Sequence, residues 1–281
     1  MSERDIVLTG IPRSGTTLAC WLLNQLPDVV ALVEPPMGVR FWLGRWDRRL
    51  ARSGLRRFFI KVRERLAAGR PVPSLHIDGE IPANPVEEQR VGPLRRHVAR
   101  YGKVHVAKRL SMRFWLIVKH PGPFTVLLSE LIHHFSVYAV VRNPLAVLAS
   151  WNSVSLSLNK GRVPVGEWLY PSLRRTLSRI GDRWERQLYL LDWFFETYRR
   201  VLPETVILRY EDIIATGGRA LSVIVPEAAE LTVSLRSRNA SSLYDASLMR
   251  ALGERLLKSD GAFWDFYSRE SVEQLLAEVG Q

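Results

Sequence analysis

Short apolar runs alternate along this chain with stretches whose apolar side chains recur every three or four residues. Residues 5–9 and 29–33 are short apolar runs, which predicts two buried strands. Between them, residues 14–26 have helical spacing, with residues 10–14 as the connecting turn. The apolar positions of that helix are Leu18, Trp21, Leu22 and Leu26. The chain is therefore predicted to open with a strand, a turn, a helix and a second strand.

Further apolar runs predict later strands, and most of them are followed by amphipathic stretches that predict helices. The predicted strands lie at residues 104–108, 114–119, 136–141 and 205–209. The predicted helices lie at residues 124–135, 145–155, 182–201 and 249–258. Because strands that alternate with helices usually pair in parallel beneath them, we expect one α/β domain over residues 1–281. Its central sheet should be mainly parallel and flanked by helices.

One internal segment, about residues 38–102, is strongly basic and interrupts this alternation. The chain has 40 Lys plus Arg against 28 Asp plus Glu, a net charge of +12. Residues 1–39 carry −2 and residues 120–281 carry zero, so residues 40–119 hold +14. The pattern predicts helices at residues 39–69 and 86–100, and we interpret the segment as a basic helical insertion.

The first of these helices combines an apolar stripe with a cationic surround, and three roles remain open for it. It could pack on the sheet with a solvated arginine face, cover the site and attract an anionic acceptor, or attach to an anionic membrane surface. The apolar positions are Trp42, Trp46, Leu55, Phe58, Phe59, Val62 and Leu66. The arginines between them are Arg45, Arg48, Arg49, Arg52, Arg56, Arg57, Arg63 and Arg65.

Composition is that of an ordinary globular protein, with 47% hydrophobic and 24% charged residues, which excludes disordered, collagenous and coiled-coil chains. Cys20 is the single cysteine, so an intrachain disulfide or a multi-cysteine metal site is impossible. No run approaches the roughly 18 apolar residues of a membrane span, and the first residues do not resemble a signal peptide. We expect a cytoplasmic protein, with peripheral membrane contact left open.

The turn after the first predicted strand carries the clearest chemical signal. Residues 10–17 read Gly-Ile-Pro-Arg-Ser-Gly-Thr-Thr, and two glycines at this spacing allow a tight backbone curl before a helix. The amides of such a curl and the positive end of the helix bind a phosphate group. Thr16 stands where a triphosphate-binding loop has its lysine, so triphosphate chemistry is disfavoured.

The ends of the later strands supply cations rather than the acidic residue that a magnesium-dependent enzyme needs. Lys119-His120-Pro121 and Arg142-Asn143-Pro144 follow two of the predicted strands. This pattern favours a polyanionic ligand that is handled without a metal. A third strand end, Arg209-Tyr210-Glu211-Asp212, does carry acids and leaves a magnesium site open.

Two of these motifs resemble those of the sulfotransferases that use 3′-phosphoadenosine 5′-phosphosulfate (PAPS). Residues 10–17 resemble the family's loop for the 5′-phosphosulfate, and residues 140–150 resemble its strand, turn and helix for the 3′-phosphate. The resemblance implies a fold like that of P-loop nucleoside triphosphate hydrolases. It also implies that PAPS is the cosubstrate, with no metal, and assigns the site as follows. The 5′-phosphosulfate would be bound by Arg13, Ser14, Gly15, Thr16 and Thr17. The 3′-phosphate would be bound by Arg142 and Ser150, and the adenine would lie near Tyr210.

The same resemblance suggests the catalytic groups. Glu34, just after the second strand, resembles the catalytic glutamate of the tyrosylprotein and several bacterial sulfotransferases, and His120 is the alternative base. Arg13 and Lys119 would neutralise charge on the leaving oxygen. The Arg-Lys-Gly loop of the cytosolic members is absent, and residues 236–242 or 258–264 are its candidate substitutes.

The predicted function is transfer of a sulfuryl group to a hydroxyl or amine of a small molecule, lipid or saccharide. A magnesium-dependent P-loop kinase or nucleotide hydrolase is one alternative. A non-enzymatic binder of nucleic acid or anionic membrane is another. Nucleic acid is the less favoured of these partners because the chain has no recognisable nucleic-acid motif.

Overall fold

The computed structural model describes residues 2–89, 92 and 94–279 and has the predicted α/β architecture. The strands are β1 (Asp5–Gly10), β2 (Val29–Val33), β3 (Val72–His76), β4 (Arg100–Val104), β5 (Trp115–Lys119), β6 (Ser136–Val141) and β7 (Ile207–Arg209). The first six helices are α1 (Thr16–Leu23), α2 (Val39–Trp42), α3 (Arg48–Ala67), α4 (Pro121–Val126), α5 (Leu128–Leu131) and α6 (Pro144–Asn152). The remaining helices are α7 (Pro164–Leu169), α8 (Pro171–Arg179), α9 (Arg183–Val201), α10 (Tyr210–Ala215), α11 (Ala246–Leu257) and α12 (Arg269–Glu278).

Five strands form the central sheet in the order β2-β5-β1-β6-β7, and every pairing is parallel. Strand β1 lies in the middle and is buried along its whole length. Successive side chains of a strand point to opposite faces, so Val7 joins one hydrophobic cluster while Ile6 and Leu8 join the other. Helices cover both clusters. Because β1 pairs in parallel with both β5 and β6, the carboxyl ends of these three strands lie side by side at one end of the sheet.

The predicted basic insertion is helical only in its first half. Helix α3 buries its apolar stripe against the core through Ala51, Leu55, Phe59, Val62 and Leu66. The second half instead contains an antiparallel hairpin of β3 and β4. The predicted strand at residues 104–108 is wrong, because β4 of this hairpin ends at Val104 and residues 105–108 are not in a strand.

The prediction of a helix at residues 86–100 is also wrong for the residues that the structure describes. Their backbone groups pair elsewhere: the Glu87 N–H donates to the Arg96 carbonyl, and the Arg95 N–H donates to the Ser153 carbonyl. The Ser155 N–H in turn donates to the Arg95 carbonyl. An extended segment fixed to the end of α6 therefore replaces the helix and borders the sheet edge that carries the site.

Helix α3 is held to the opposite, amino-terminal edge of the sheet by an ion pair. The Arg63 Nε lies 2.6 Å from the Asp5 Oδ1, and the Arg63 guanidinium lies 4.4 Å from the Phe114 ring centre. Within the described part of the chain, no helix is both long and apolar enough to cross a membrane.

Candidate active site

The loop between β1 and α1 curls tightly because two glycines allow close contacts. A Cβ on Gly10 would lie 2.5 Å from the Val140 carbonyl oxygen. Gly15 adopts φ +94°, and a Cβ there would lie 2.6 Å from the Tyr210 ring. The Ser14 hydroxyl donates to the Val140 carbonyl at 2.7 Å, which fixes the loop to β6. These contacts fix the conformation of the predicted phosphate-binding loop.

The open end of this loop presents backbone N–H groups. The Ser14 N–H is used inside the loop, where it donates to the Ile11 carbonyl at 2.9 Å. Among the described residues, no acceptor pairs with the N–H groups of Gly15, Thr16 and Thr17. These donors lie at the amino-terminal end of α1, where the helix dipole also favours an anion. We call the backbone N–H groups of Gly15, Thr16 and Thr17 the anion cradle. Ser14 stabilises the loop through its buried contacts and is not part of the cradle.

Two predicted site residues have strained backbones. Arg13 has φ 75° and Glu34 has φ 44°, values that residues with a Cβ rarely adopt. Such strain costs about 1–3 kcal/mol per residue and is concentrated at functional sites. The strain at Arg13 and Glu34 supports a functional role for both.

Arg13 lies among other arginines. Its Nε donates to the Ser150 hydroxyl and its Nη2 to the Asn84 side chain, both at 3.2 Å. Burial is the main cause that lowers the pKa of Arg13 to about 10, and the positive charges of neighbouring guanidiniums add to it. Those neighbours are Arg95, Arg142 and Arg238. A cluster of cations that are costly to desolvate is matched best by a polyanion.

Arg142 organises the loop as well as lining the site. Its Nη1 donates to the Arg13 carbonyl at 3.1 Å, and its Nε donates to the Asn239 side chain at 2.8 Å. Its Nη2 donates to the Arg238 carbonyl at 2.6 Å and, more weakly, to the Tyr244 hydroxyl at 3.4 Å. A guanidinium has five N–H donors, so these contacts leave one for a ligand. Ser150 is fully buried and contacts the wall residues Arg13 and Tyr244 through its hydroxyl.

Lys119 and Glu34 form an ion pair beside the anion cradle. The Lys119 Nζ lies 2.6 Å from the Glu34 Oε1 and 3.3 Å from the Thr17 hydroxyl. Lys119 is 3% exposed, whereas the Glu34 side chain is 29% exposed and borders the cavity. Burial by itself raises the pKa of Glu34, but the Lys119 ammonium outweighs it and holds the pKa at about 2. Glu34 is therefore ionised at neutral pH.

His120, the alternative base, also borders the cavity. Its ring packs edge-on against Trp42 and Phe124, and its Nδ1 has no partner among the described residues. Burial lowers the pKa of His120 to about 4, so the imidazole is neutral at pH 7. Strand β5 ends at Lys119, and both Lys119 and His120 border the cavity.

A cavity of about 520 Å³ joins these groups, a volume within the range of small-molecule sites. Arg13 and Arg142 both line it, so they share one cleft. The predicted residues on its wall are Arg13, Gly15, Thr16, Thr17, Glu34, Lys119, Arg142 and Tyr210. Ser14 and Ser150 lie behind that wall, with both side chains fully buried.

Tyr210 and the segment at residues 236–242 close one end of the cavity. The Tyr210 ring lies beneath Gly15, and the Arg142 guanidinium lies 4.5 Å from its centre. The Tyr210 hydroxyl accepts the Arg238 N–H at 3.1 Å. Of the two candidate substitutes for the missing loop, residues 236–242 therefore border the cavity, and residues 258–264 do not contribute to its wall.

Several wall residues escaped the sequence analysis. They are Asn84, Arg95, His97 and Tyr244, which come from two segments without a recognisable motif. The only signal for Arg95 and His97 was the Arg and His content of the basic insertion, and Asn84 and Tyr244 gave none. That content is not specific enough to distinguish a wall residue from a solvated one.

Glu211, at the strand end that left a magnesium site open, is engaged in structure. Its Oε1 accepts the Asn143 N–H at 3.0 Å and the Asn239 amide at 2.8 Å. Its Oε2 accepts the Tyr267 hydroxyl at 2.8 Å. Glu211 therefore links the turn that follows Arg142 to the segments that contain Asn239 and Tyr267. Both of its carboxylate oxygens accept protein hydrogen bonds, which does not support a role as a metal ligand.

Comparison with known proteins finds remote likeness to four solved chains, one of which is a sulfotransferase. No protein-family model matches the chain, and the comparison with curated proteins finds no match. Among solved structures the chain is similar to the sulfotransferase STF1 from Mycobacterium tuberculosis H37Rv, with 15% identity and a TM-score of 0.33. The alignment covers 99% of this chain and 78% of that one. A likeness this remote gives no information about which substrates the protein uses.

Proposed function

We propose that this protein is a sulfotransferase that moves a sulfuryl group from PAPS to a hydroxyl or amine of a small-molecule, lipid or saccharide acceptor. The observation that carries the proposal is the shared cavity. In it an anion cradle at Gly15–Thr17 lies next to the Lys119–Glu34 pair, and Arg142 lines the same space. In this proposal the anion cradle binds the 5′-anion, Arg142 binds the second phosphate and Glu34 supplies the carboxylate, and all of them line one cavity.

The cations of the cavity suit a nucleotide with two separate anionic ends. The free amides of Gly15, Thr16 and Thr17 receive the 5′-phosphate, while Arg142 and the exposed side chains of Arg236 and Arg238 face the 3′-phosphate. Tyr210 and Ile214 supply an aromatic and an aliphatic surface for the adenine.

In the proposed reaction the acceptor atom bonds to sulfur while the bond from sulfur to the 5′-phosphate oxygen breaks. The acceptor proton passes to Glu34, and the electron pair of the broken bond stays on the phosphate oxygen. Lys119 and Arg13 neutralise that charge. Lys119 lies between the anion cradle and Glu34. A phosphate that binds in the cradle competes with Glu34 for the Lys119 ammonium, and this competition raises the pKa of the Glu34 carboxylate.

His120 remains the alternative base, since its imidazole is neutral at pH 7 and borders the same cavity. Substitution of Glu34 and of His120, one at a time, distinguishes the two candidate bases. If Glu34 takes the proton, Glu34→Gln abolishes transfer and His120→Asn leaves most of it. The reverse pattern would assign the base to His120.

The test is transfer of radiolabelled sulfate from PAPS to a panel of hydroxyl and amine acceptors, with release of adenosine 3′,5′-bisphosphate measured in parallel. Glu185→Gln is the matched control, because Glu185 is an exposed carboxylate that pairs with Arg255 and does not line the cavity. The proposal expects acceptor-dependent transfer that the control keeps. Magnesium-dependent turnover of ATP that the bisphosphate does not inhibit would contradict it and favour a kinase or hydrolase.

A further inference from the structure

An apolar stripe lies open to solvent beside the mouth of the cavity. Val39, Leu43 and Trp46 follow one another at intervals of four and three residues, so they share one face of the helical segment that begins with α2. Val39 is 76% exposed and Trp46 is 71% exposed. Val165 and Trp168 of α7 extend this surface, and both are more than one-third exposed. We call these five residues the aromatic patch.

The patch is held together by an arginine. Trp46 and Trp168 meet edge to face with ring centres 5.8 Å apart. The Arg45 guanidinium lies 5.7 Å from the Trp46 ring centre and 5.2 Å from that of Trp168. Its Nη1 also donates to the Trp168 carbonyl at 2.6 Å. Large apolar side chains are therefore fixed in an exposed arrangement rather than folded onto the core.

Positive charge surrounds the patch. Arg40, Arg45 and Arg49 each lie within three residues of Val39, Leu43 or Trp46 along the chain. Arg40 and Arg49 are exposed, and no salt bridge between described residues engages either of them or Arg45. The nearby acid, Asp47, caps α3 by accepting the Arg49 N–H. Charge complementarity thus requires an anionic partner.

We propose that the aromatic patch docks on an anionic lipid bilayer. Tryptophan favours the interface between headgroups and acyl chains, and arginine pairs with lipid phosphates at the same depth. Nucleic-acid phosphates would satisfy the arginines but would leave Val39 and Leu43 in contact with water. A bilayer satisfies both parts of the surface.

The patch adjoins the cavity. Trp42 packs edge-on against both Trp168 and His120, with ring centres 6.2 Å and 6.4 Å away, and Val165 itself lines the cavity. Docking therefore brings the mouth of the cavity to the lipid surface. Vesicle binding does not depend on the proposed sulfuryl transfer, so the two proposals fail or succeed separately.

The test is co-sedimentation of the full chain with phosphatidylcholine vesicles that contain one-third phosphatidylglycerol, and with phosphatidylcholine alone. We expect binding to the anionic vesicles only, weakened as salt rises because surface charges are screened. Arg40→Ala combined with Arg49→Ala should lower the partition coefficient by about 30-fold, given about 1 kcal/mol per cation. Trp46→Ser should lower it by about tenfold through loss of apolar burial.

Met112→Ser and the pair Arg109→Ala with Arg113→Ala are the matched controls. These residues precede β5 at the opposite edge of the sheet, Met112 is 93% exposed, and the pair removes the same charge. The proposal expects both controls to bind like the unmodified chain. Absence of vesicle binding, or equal losses in patch and control variants, would overturn it. So would a dimer in light scattering that Trp46→Ser dissociates without any vesicle binding, because the patch would then be a self-association surface.

Discussion

Removing the charge of Glu34 should tighten, not weaken, the binding of a bisphosphate nucleotide. The pKa of Glu34 lies at about 2 instead of the ordinary 4.5, chiefly because of Lys119. At about 1.4 kcal/mol per pKa unit, the folded protein stabilises the ionised form of Glu34 by a net amount on the order of 3 kcal/mol, after the opposing cost of burial. Glu34→Gln gives up that stabilisation and leaves the buried Lys119 ammonium without a carboxylate.

The unliganded Glu34→Gln variant should therefore melt roughly 5 °C lower than the unmodified protein. A 5′-phosphate in the cradle offers Lys119 a new anionic partner and no longer competes with Glu34 for it. If about half of the lost stabilisation is recovered in this way, the variant binds adenosine 3′,5′-bisphosphate about tenfold more tightly. Lys119→Met removes the cation itself, so it should weaken the same binding by about tenfold or more.

Isothermal calorimetry and melting curves with and without the bisphosphate measure both effects. Glu185→Gln is again the control and should leave the affinity within about twofold, as expected for an exposed ion pair outside the cavity. Equal loss of affinity in Glu34→Gln and Lys119→Met would refute the reasoning. That result would mean that Glu34 belongs to the nucleotide site and is not the competitor for Lys119.

Three further predictions concern the loop, the scaffold and pH. Gly15→Ala should reduce bisphosphate binding more than tenfold in calorimetry, because its Cβ meets Tyr210 at φ +94°; unchanged affinity would show that the loop relaxes freely. Arg63→Met should destabilise the fold by about 3 kcal/mol in urea titrations, since it leaves Asp5 buried and unpaired; a loss below about 1 kcal/mol would contradict this. The pKa of His120 is about 4 when folded and 6.5 when unfolded, so the unfolded state binds more protons between these values. Stability should fall as pH drops from 6.5 to 4, and His120→Gln should flatten that slope relative to the unmodified chain; identical slopes would disprove the shift.

The parts of this molecule that were predictable are those whose signal is local. The β1-loop-α1-β2 start follows from an apolar run, two glycines and a helical period within 33 residues. The Lys119 and Arg142 strand ends follow from buried parallel strands, whose carboxyl ends must meet at one edge.

The parts that were missed depend on contacts far apart in sequence. Residues 86–100 have helical spacing, but Arg95 pairs its backbone with Ser153 and Ser155, about sixty residues away. The support of Arg13 by Asn84 and the engagement of Arg142 by Asn239 are equally long-range. Sequence alone therefore indicated that Arg13, Lys119 and Arg142 reach the site. It did not indicate that Arg142 uses most of its donors on other protein groups, chiefly in residues 238–244.

The most direct test of the central claim compares three nucleotides by calorimetry: adenosine 3′,5′-bisphosphate, adenosine 5′-monophosphate and ATP with magnesium. The bisphosphate should bind with micromolar affinity, and the monophosphate should bind at least about tenfold more weakly because it lacks the group that faces Arg142. Arg142→Ala should remove most of that difference. Equal affinity for the two adenosine phosphates, or a preference for ATP with magnesium, would contradict a cavity built for PAPS.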